Sequence, residues 1–146
     1  MKKRDPYISQ IAYSAISKTK RRETKGQIVA VCSVFLNERG LSLILQPTRV
    51  LCKNEIHELL TTDKVDAGPS KTVDRVGAVC FFEITQGSSV AVGDPVFINS
   101  KEIGKLAGFD EAHCPNHYNI VVLSSKRFTG LEAGFHIGDE VSIGTE

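Results

Sequence analysis

The chain has 146 residues and a mass of 16.0 kDa, one domain's worth, long enough to bury a core without a metal or disulfide staple. Apolar residues at 41% and charged residues at 24% sit near globular averages, which excludes wholesale disorder, a collagen-like repeat and a disulfide mini-scaffold. The formal charge of +1 hides an asymmetry: residues 1–25 carry eight basic and two acidic side chains, whereas residues 26–146 carry ten and fifteen.

That asymmetry divides the chain into a basic N-terminal arm, 1–25, and a single β-barrel domain, 26–146. In the arm, Asp5 is placed to cap a helix, Pro6 suits its first position, and Ile8, Ile11, Ala12, Ala15 and Ile16 fall on one stripe. Its charge suits nucleic acid or an anionic surface. The arm can equally be a solvated leader or dock on its own acidic domain, and the run Lys18-Thr19-Lys20-Arg21-Arg22 lacks interleaved aromatics and no reading helix follows it, which disfavours the nucleic-acid reading. No apolar core of signal-peptide length follows the basic start, and no stretch approaches the ~20 apolar residues of a membrane span. A cytoplasmic protein without a membrane span is expected.

From Gly26 the pattern becomes short apolar, β-branched runs between turn residues, the signature of an all-β fold. A small closed or partly open barrel of about seven or eight strands is predicted. Gln27–Leu36 is nearly continuous in apolar character and reads as a strand covered on both faces. Strands follow at Leu41–Leu45 and Arg49–Lys53. Asn54–Leu60 fits a short helix or a strand, and Thr61–Lys71 is the longest loop. Val76, Ala78, Cys80, Phe82 and Ile84 alternate onto one face of a strand that ends at Gln86-Gly87-Ser88-Ser89. Val90–Ile98 and Glu102–Phe109 read as a hairpin around Asn99-Ser100-Lys101, Tyr118–Leu123 as a further strand, and Phe135–Ile143 as the last. Val92-Gly93-Asp94-Pro95-Val96-Phe97-Ile98 is echoed by Ile137-Gly138-Asp139-Glu140-Val141-Ser142-Ile143, which predicts one turn chemistry used twice to start a strand.

The densest cluster of reactive side chains is Asp110-Glu111-Ala112-His113-Cys114-Pro115-Asn116-His117. Pro115 excludes a helical His-x-x-x-His site, so the segment is a loop, with Pro115-Asn116 suited to the centre of a turn. Two readings compete. Asp110, Glu111, His113, Asn116 and His117 form a rim that binds a small polar ligand, or Asp110 and Asn116 merely brace a tight connection. His113 and His117 are also candidate ligands for a divalent metal, although one loop rarely completes a shell and His57 or Glu58 would have to contribute. Cys114 beside His113 is a weaker candidate for a thiol nucleophile and its base.

Several chemistries are excluded. His57-Glu58 starts like the zinc-protease motif, but Thr61 stands where the second histidine belongs. No dinucleotide or hydrolase glycine motif occurs, and Gly104-Lys105 is followed by Leu106 where a phosphate loop needs Ser or Thr. Tryptophan is absent, which leaves little material for base stacking. The four cysteines, Cys32, Cys52, Cys80 and Cys114, form no zinc spacing and are expected to be reduced, with Cys32 and Cys80 as core residues.

From Ile103 to the end the chain resembles the closing portion of the sorbitol/glucitol-specific IIA component of the bacterial phosphotransferase system, at Gly104, Pro115, Ile120–Leu123, Gly134 and Val141. That resemblance implies a small barrel and phosphoryl transfer through a histidine, for which His57, alone in the first half, is the candidate acceptor. The whole chain also resembles uncharacterised small bacterial domains sharing the phrases Gly-Phe-Asp-x-x-His and Pro-Asn-His. The expected function is therefore a ligand-binding or regulatory barrel rather than an enzyme, with a metal-dependent enzyme and a phosphocarrier as alternatives. Homo-oligomerisation is left open.

Overall fold

The computed structural model describes residues 19–144, so the expected helix of the arm lies outside the described residues. Twelve strands follow in order: β1 (Thr24–Val31), β2 (Phe35–Leu36), β3 (Leu41–Ser42), β4 (Thr48–Leu51), β5 (Ile56–Thr62), β6 (Thr72–Val73), β7 (Val76–Gln86), β8 (Ser88–Ala91), β9 (Pro95–Ile98), β10 (Lys101–Asp110), β11 (Asn119–Leu123) and β12 (Glu140–Ile143). Between the last two lies a single helical turn, α1 (Gly130–Ala133). Strand β1 pairs with β12 on one side and β7 on the other, so β1-β12-β9-β10-β11-β5-β7 run as a ring of seven strands. The fold is all-β, a small partly open barrel. Register shifts that leave an extra residue in β1, β7 and β10 mark bulges, which bend strands and let a short sheet curl on itself.

Two apolar clusters explain why so many strands read as unbroken hydrophobic runs. The first holds Ile28, Leu59, Phe82, Ile98, Leu106, Phe109, Ile120 and Val122. The second holds Leu41, Leu43, Leu60, Val73, Ala107 and Val121. Neighbours in sequence are split between them: Leu59 from Leu60, Leu106 from Ala107, and Ile120 from Val121. Because successive strand side chains point to opposite faces, the second cluster covers the other face of the sheet, where the paired β3 and β6 contribute Leu41 and Val73. Each such aliphatic side chain, fully buried, contributes roughly 1.5–3 kcal/mol.

Gln27–Leu36 and Phe135–Ile143 differ from the sequence reading, and Asn54–Leu60 resolves the alternative it left open. Gln27–Leu36 is not one strand: after Val31 the chain leaves the sheet, and Val34, Phe35 and Leu36 are exposed because β2 finds only Gly77 and Val76 to pair with. Cys32 is accordingly half-buried rather than in the core, whereas Cys80 is fully buried, and all four cysteines are free thiols. Asn54–Leu60 yields a strand, since β5 is paired on both sides, with β7 and β11, and that pairing overrides the local helix formers. Phe135–Ile143 contributes strand only from Glu140, after α1, which Thr129 caps by accepting the Glu132 amide at 3.1 Å.

The repeated Gly-Asp phrase does what its chemistry predicts. Gly93 and Gly138 take φ of 95° and 94°, and each following aspartate accepts the backbone amide three residues earlier, Ala91 at 2.9 Å and His136 at 2.8 Å. The strands so started, β9 and β12, pair with each other. Asp94 also meets a permanent charge: Arg21 donates to both of its carboxylate oxygens, at 2.7 and 2.9 Å, and to the Ser89 carbonyl, whereas Asp139 has the exposed His136 imidazole 3.9 Å away. Arg22 donates to the Gly87 carbonyl. These two arm residues therefore spend hydrogen bonds on the barrel itself. No helix among the described residues is long and apolar enough to cross a membrane.

The two copies of this turn should respond differently to truncation. Asp94→Ala removes the turn bond and strands a largely buried guanidinium, so it should lower stability by about 2–4 kcal/mol. Asp139→Ala should cost clearly less, because its carboxylate sits at an exposed turn and leaves no buried guanidinium behind. Urea unfolding of both variants measures the difference, and equal losses would mean that the Arg21 pair contributes nothing.

Candidate functional site

The loop after β10 is built on a hydrogen-bonded turn. The Asn116 amide donates to the His113 carbonyl at 2.8 Å, and the His117 amide shares that carbonyl at 3.4 Å. The turn is thus centred on Cys114-Pro115, joined by a cis peptide, one residue before the expected Pro115-Asn116 centre. His113 and His117 flank it with ring centroids 5.0 Å apart. His117 also packs edge-on against Phe81 at 5.0 Å, which fixes its ring against the barrel wall.

Asp110 does not belong to a rim, and that expectation is corrected. It is 2% exposed, and its carboxylate accepts the Ser42 amide at 2.8 Å, the Ala112 amide at 2.9 Å and the Asn119 side-chain amide at 3.0 Å. It braces the loop base, the alternative reading of this residue. Glu111 points outward and pairs with Arg49, whose guanidinium lies 3.8 Å from the centre of the Tyr118 ring. The Asn116 side-chain amide lies 2.8 Å from His117 Nδ1.

Strand β5 supplies the remaining groups. It runs parallel to β11 with Glu58 opposite Asn119, and the Glu58 amide donates to the Tyr118 carbonyl at 3.1 Å. Alternation then sorts the side chains into two sets. His57 stacks on Tyr118, 4.8 Å between centroids, while Glu58 shares the face of His117, with Oε1 3.6 Å from Nε2. His57 is 4% exposed and satisfied at both nitrogens: Nδ1 accepts the Tyr118 amide and Nε2 donates to Glu55 Oε1, each at 3.0 Å. Neither nitrogen is left to attack a phosphoryl group, so the phosphoacceptor expectation finds no geometric basis at this residue.

Burial sets the charge state of these groups. It pushes the His57 imidazole below its ordinary value despite the opposing pull of Glu55. It pushes the Glu58 carboxyl up, with His117, His113 and Arg39 opposing. For Glu55 burial is outweighed by bonds from His57 and the Cys52 amide, which hold its carboxyl below the usual range. The Cys114 thiol is raised by burial and by Glu111, which disfavours the thiolate that a nucleophile needs.

Two sites adjoin at His117. Arg49, Glu55, His57, Glu111, Asn116, His117 and Tyr118 line a cleft of about 480 Å³. Beside it, Glu58, His113 and His117 offer three metal-ligating atoms within 4.8 Å of one another. Of the predicted rim, the fold thus places Glu111, Asn116 and His117 on the cleft, sets His113 beside His117 and Glu58, and turns Asp110 inward. Sequence reasoning missed Arg49, Glu55 and Tyr118 as cleft residues and left Glu58 as one of two distant helpers. Recognising β5 as a strand would have separated Glu58 from His57, but no local pattern announces its pairing with β11.

Residues 18–144 match the DUF6917 family, a family of unknown function, and the chain belongs to it. Neither a bacterial origin nor kinship with phosphotransferase proteins is part of that match. No curated protein and no solved structure matches the chain.

The neutral His57 has a pH signature. Its folded-state value lies below the unfolded value of about 6.5, so below that pH the native state binds fewer protons than the unfolded chain. The corresponding stability is fully present above about pH 6.5 and is lost as pH falls toward the folded value. Denaturant titrations in EDTA should therefore give a shallower fall in stability between pH 6.5 and 5 for His57→Gln than for the native chain. Identical slopes would show that His57 is not held neutral.

Proposed function

We propose that this barrel is a binding module that holds a small polar ligand, with an anionic group directed at Arg49, in the cleft between β4, β5 and the 111–118 loop. The supporting observation is where unsatisfied polar atoms fall. Buried donors and acceptors are nearly always paired, since an unpaired one costs about 1–3 kcal/mol. Among the described residues five buried side-chain atoms lack a partner, and two of them, Arg49 Nε and His117 Nε2, belong to cleft residues.

The lining suits such a ligand. Arg49 is held flat on Tyr118 and balanced by Glu111, an exposed carboxylate that an incoming carboxylate or phosphate displaces at little cost. Glu55 and Asn116 add a carboxylate and an amide to the lining. His57, satisfied and neutral, acts as a stacked floor with Tyr118 rather than as an acid or base. The reading is saturable binding without turnover.

Thermal melts against a panel of organic acids, amino acids, sugar phosphates and nucleotides, run in EDTA, test it. A ligand at 100 times its dissociation constant stabilises by about 2.7 kcal/mol, which in a domain of this size raises Tm by several degrees. At least one class should produce such a shift, and Arg49→Gln should remove most of it. A panel without saturable shifts, or shifts indifferent to Arg49→Gln, would refute the cleft.

A further inference from the structure

We infer that Glu58, His113 and His117 form a binding site for one divalent transition-metal ion of the zinc or ferrous class. The donor set is two imidazoles and one carboxylate, the mixed nitrogen and oxygen shell that such ions favour over the all-oxygen shells of Mg²⁺ and Ca²⁺. The inference does not rest on the ligand reading of the cleft, with which it shares only His117.

Distance is the first support. An ion with bonds of ~2.0–2.2 Å in tetrahedral geometry keeps its ligand atoms roughly 3.4 Å apart. Glu58 Oε1 and His117 Nε2 stand at 3.6 Å, already close to that spacing and too far apart for a hydrogen bond. His113 completes a triangle within 4.8 Å and is exposed, so its side chain can close the remaining gap.

The second support is independent of spacing. His117 is 9% exposed, and its Nε2 is buried, has no hydrogen-bond partner and faces the Glu58 carboxylate. Its other nitrogen is held by Asn116 at 2.8 Å. With the Asn116 amide turned to present its oxygen, Nδ1 carries the proton and Nε2 is freed as a ligand, the usual outer-shell arrangement of a metal-bound histidine. Phe81 packs on His117 and the β5–β7 pairing holds Glu58, so His113, now in contact with Arg39 and with the Asn119 amide at 3.3 Å, is the ligand that has to move on binding.

One group opposes the ion. Arg39 approaches His113 Nε2 at 3.4 Å and places a guanidinium beside the site. Its removal should tighten binding, an effect that damage to the fold cannot imitate.

The test is calorimetric titration of tag-free, EDTA-stripped full-length protein with ZnCl₂, alongside the visible spectrum of the Co²⁺ form. One equivalent should bind, Co²⁺ should show no thiolate charge-transfer band, Glu58→Gln and His117→Ala should each weaken binding at least tenfold, Arg39→Ala should strengthen it, and Arg49→Gln should leave it unchanged. Sub-stoichiometric uptake, a thiolate band, or tight binding that survives Glu58→Gln would overturn the site. Because Arg49→Gln impairs the proposed cleft and not the metal, the two proposals fail separately.

Discussion

Parallel pairing of β5 with β11, from Glu58 opposite Asn119 to Thr62 opposite Leu123, is the constraint on which the site depends. Every other pairing among the described strands is antiparallel. Parallel neighbours cannot be joined by a short turn, and here the chain passes through β6 to β10 before returning. The return places the start of β11 beside the start of β5. A histidine just before one strand therefore meets a carboxylate at the start of the other, and a tyrosine meets a histidine on the opposite face. Shifting the register by one residue would exchange the two sets and separate both pairs.

This dependence decides what could be read from residues alone. The barrel was legible because its signals are local: β-branched runs, the Asn99-Ser100 hairpin turn, and the Gly93-Asp94 phrase with its echo at Gly138-Asp139. The loop at 110–117 was legible as a concentration of reactive side chains. Glu58 was harder to weigh, because its role is set by a partner 61 residues away rather than by its neighbours. Asp110 shows the converse. Its composition suggests chemistry, but the bridge from Leu43 and the Ser42 amide bring acceptor-seeking groups to it, and it is consumed by them. Continuous apolar character misled at Val34-Phe35-Leu36, where hydrophobicity marks exposed chain rather than a covered strand.

Electrostatics differ between the two faces of the region. On the β5–β11 face carrying His57 and Tyr118, Glu55, His57 and the Tyr118 amide form a chain of hydrogen bonds, and Arg49 Nε is the buried donor left over. On the face carrying Glu58 and His117, His117 Nε2 has no partner, and burial opposes the charge on Glu58 without a hydrogen bond short enough to offset it. A folded chain keeps such an imbalance only where something else relieves it or where it is small beside the surrounding packing. The fully buried residues of β5, β7 and β11 provide that packing.

The bracing carboxylate of Asp110 also has a mechanical meaning. It joins three otherwise separate pieces of backbone: the β3 strand through Ser42, the loop through Ala112, and β11 through Asn119. A lever pinned at one point cannot swing without moving everything attached to the pin. Wide excursions of the 111–118 segment are thereby coupled to lifting the β3–β6 flap off its apolar seat, so its base should open only with the body of the protein and not as an independently hinged door.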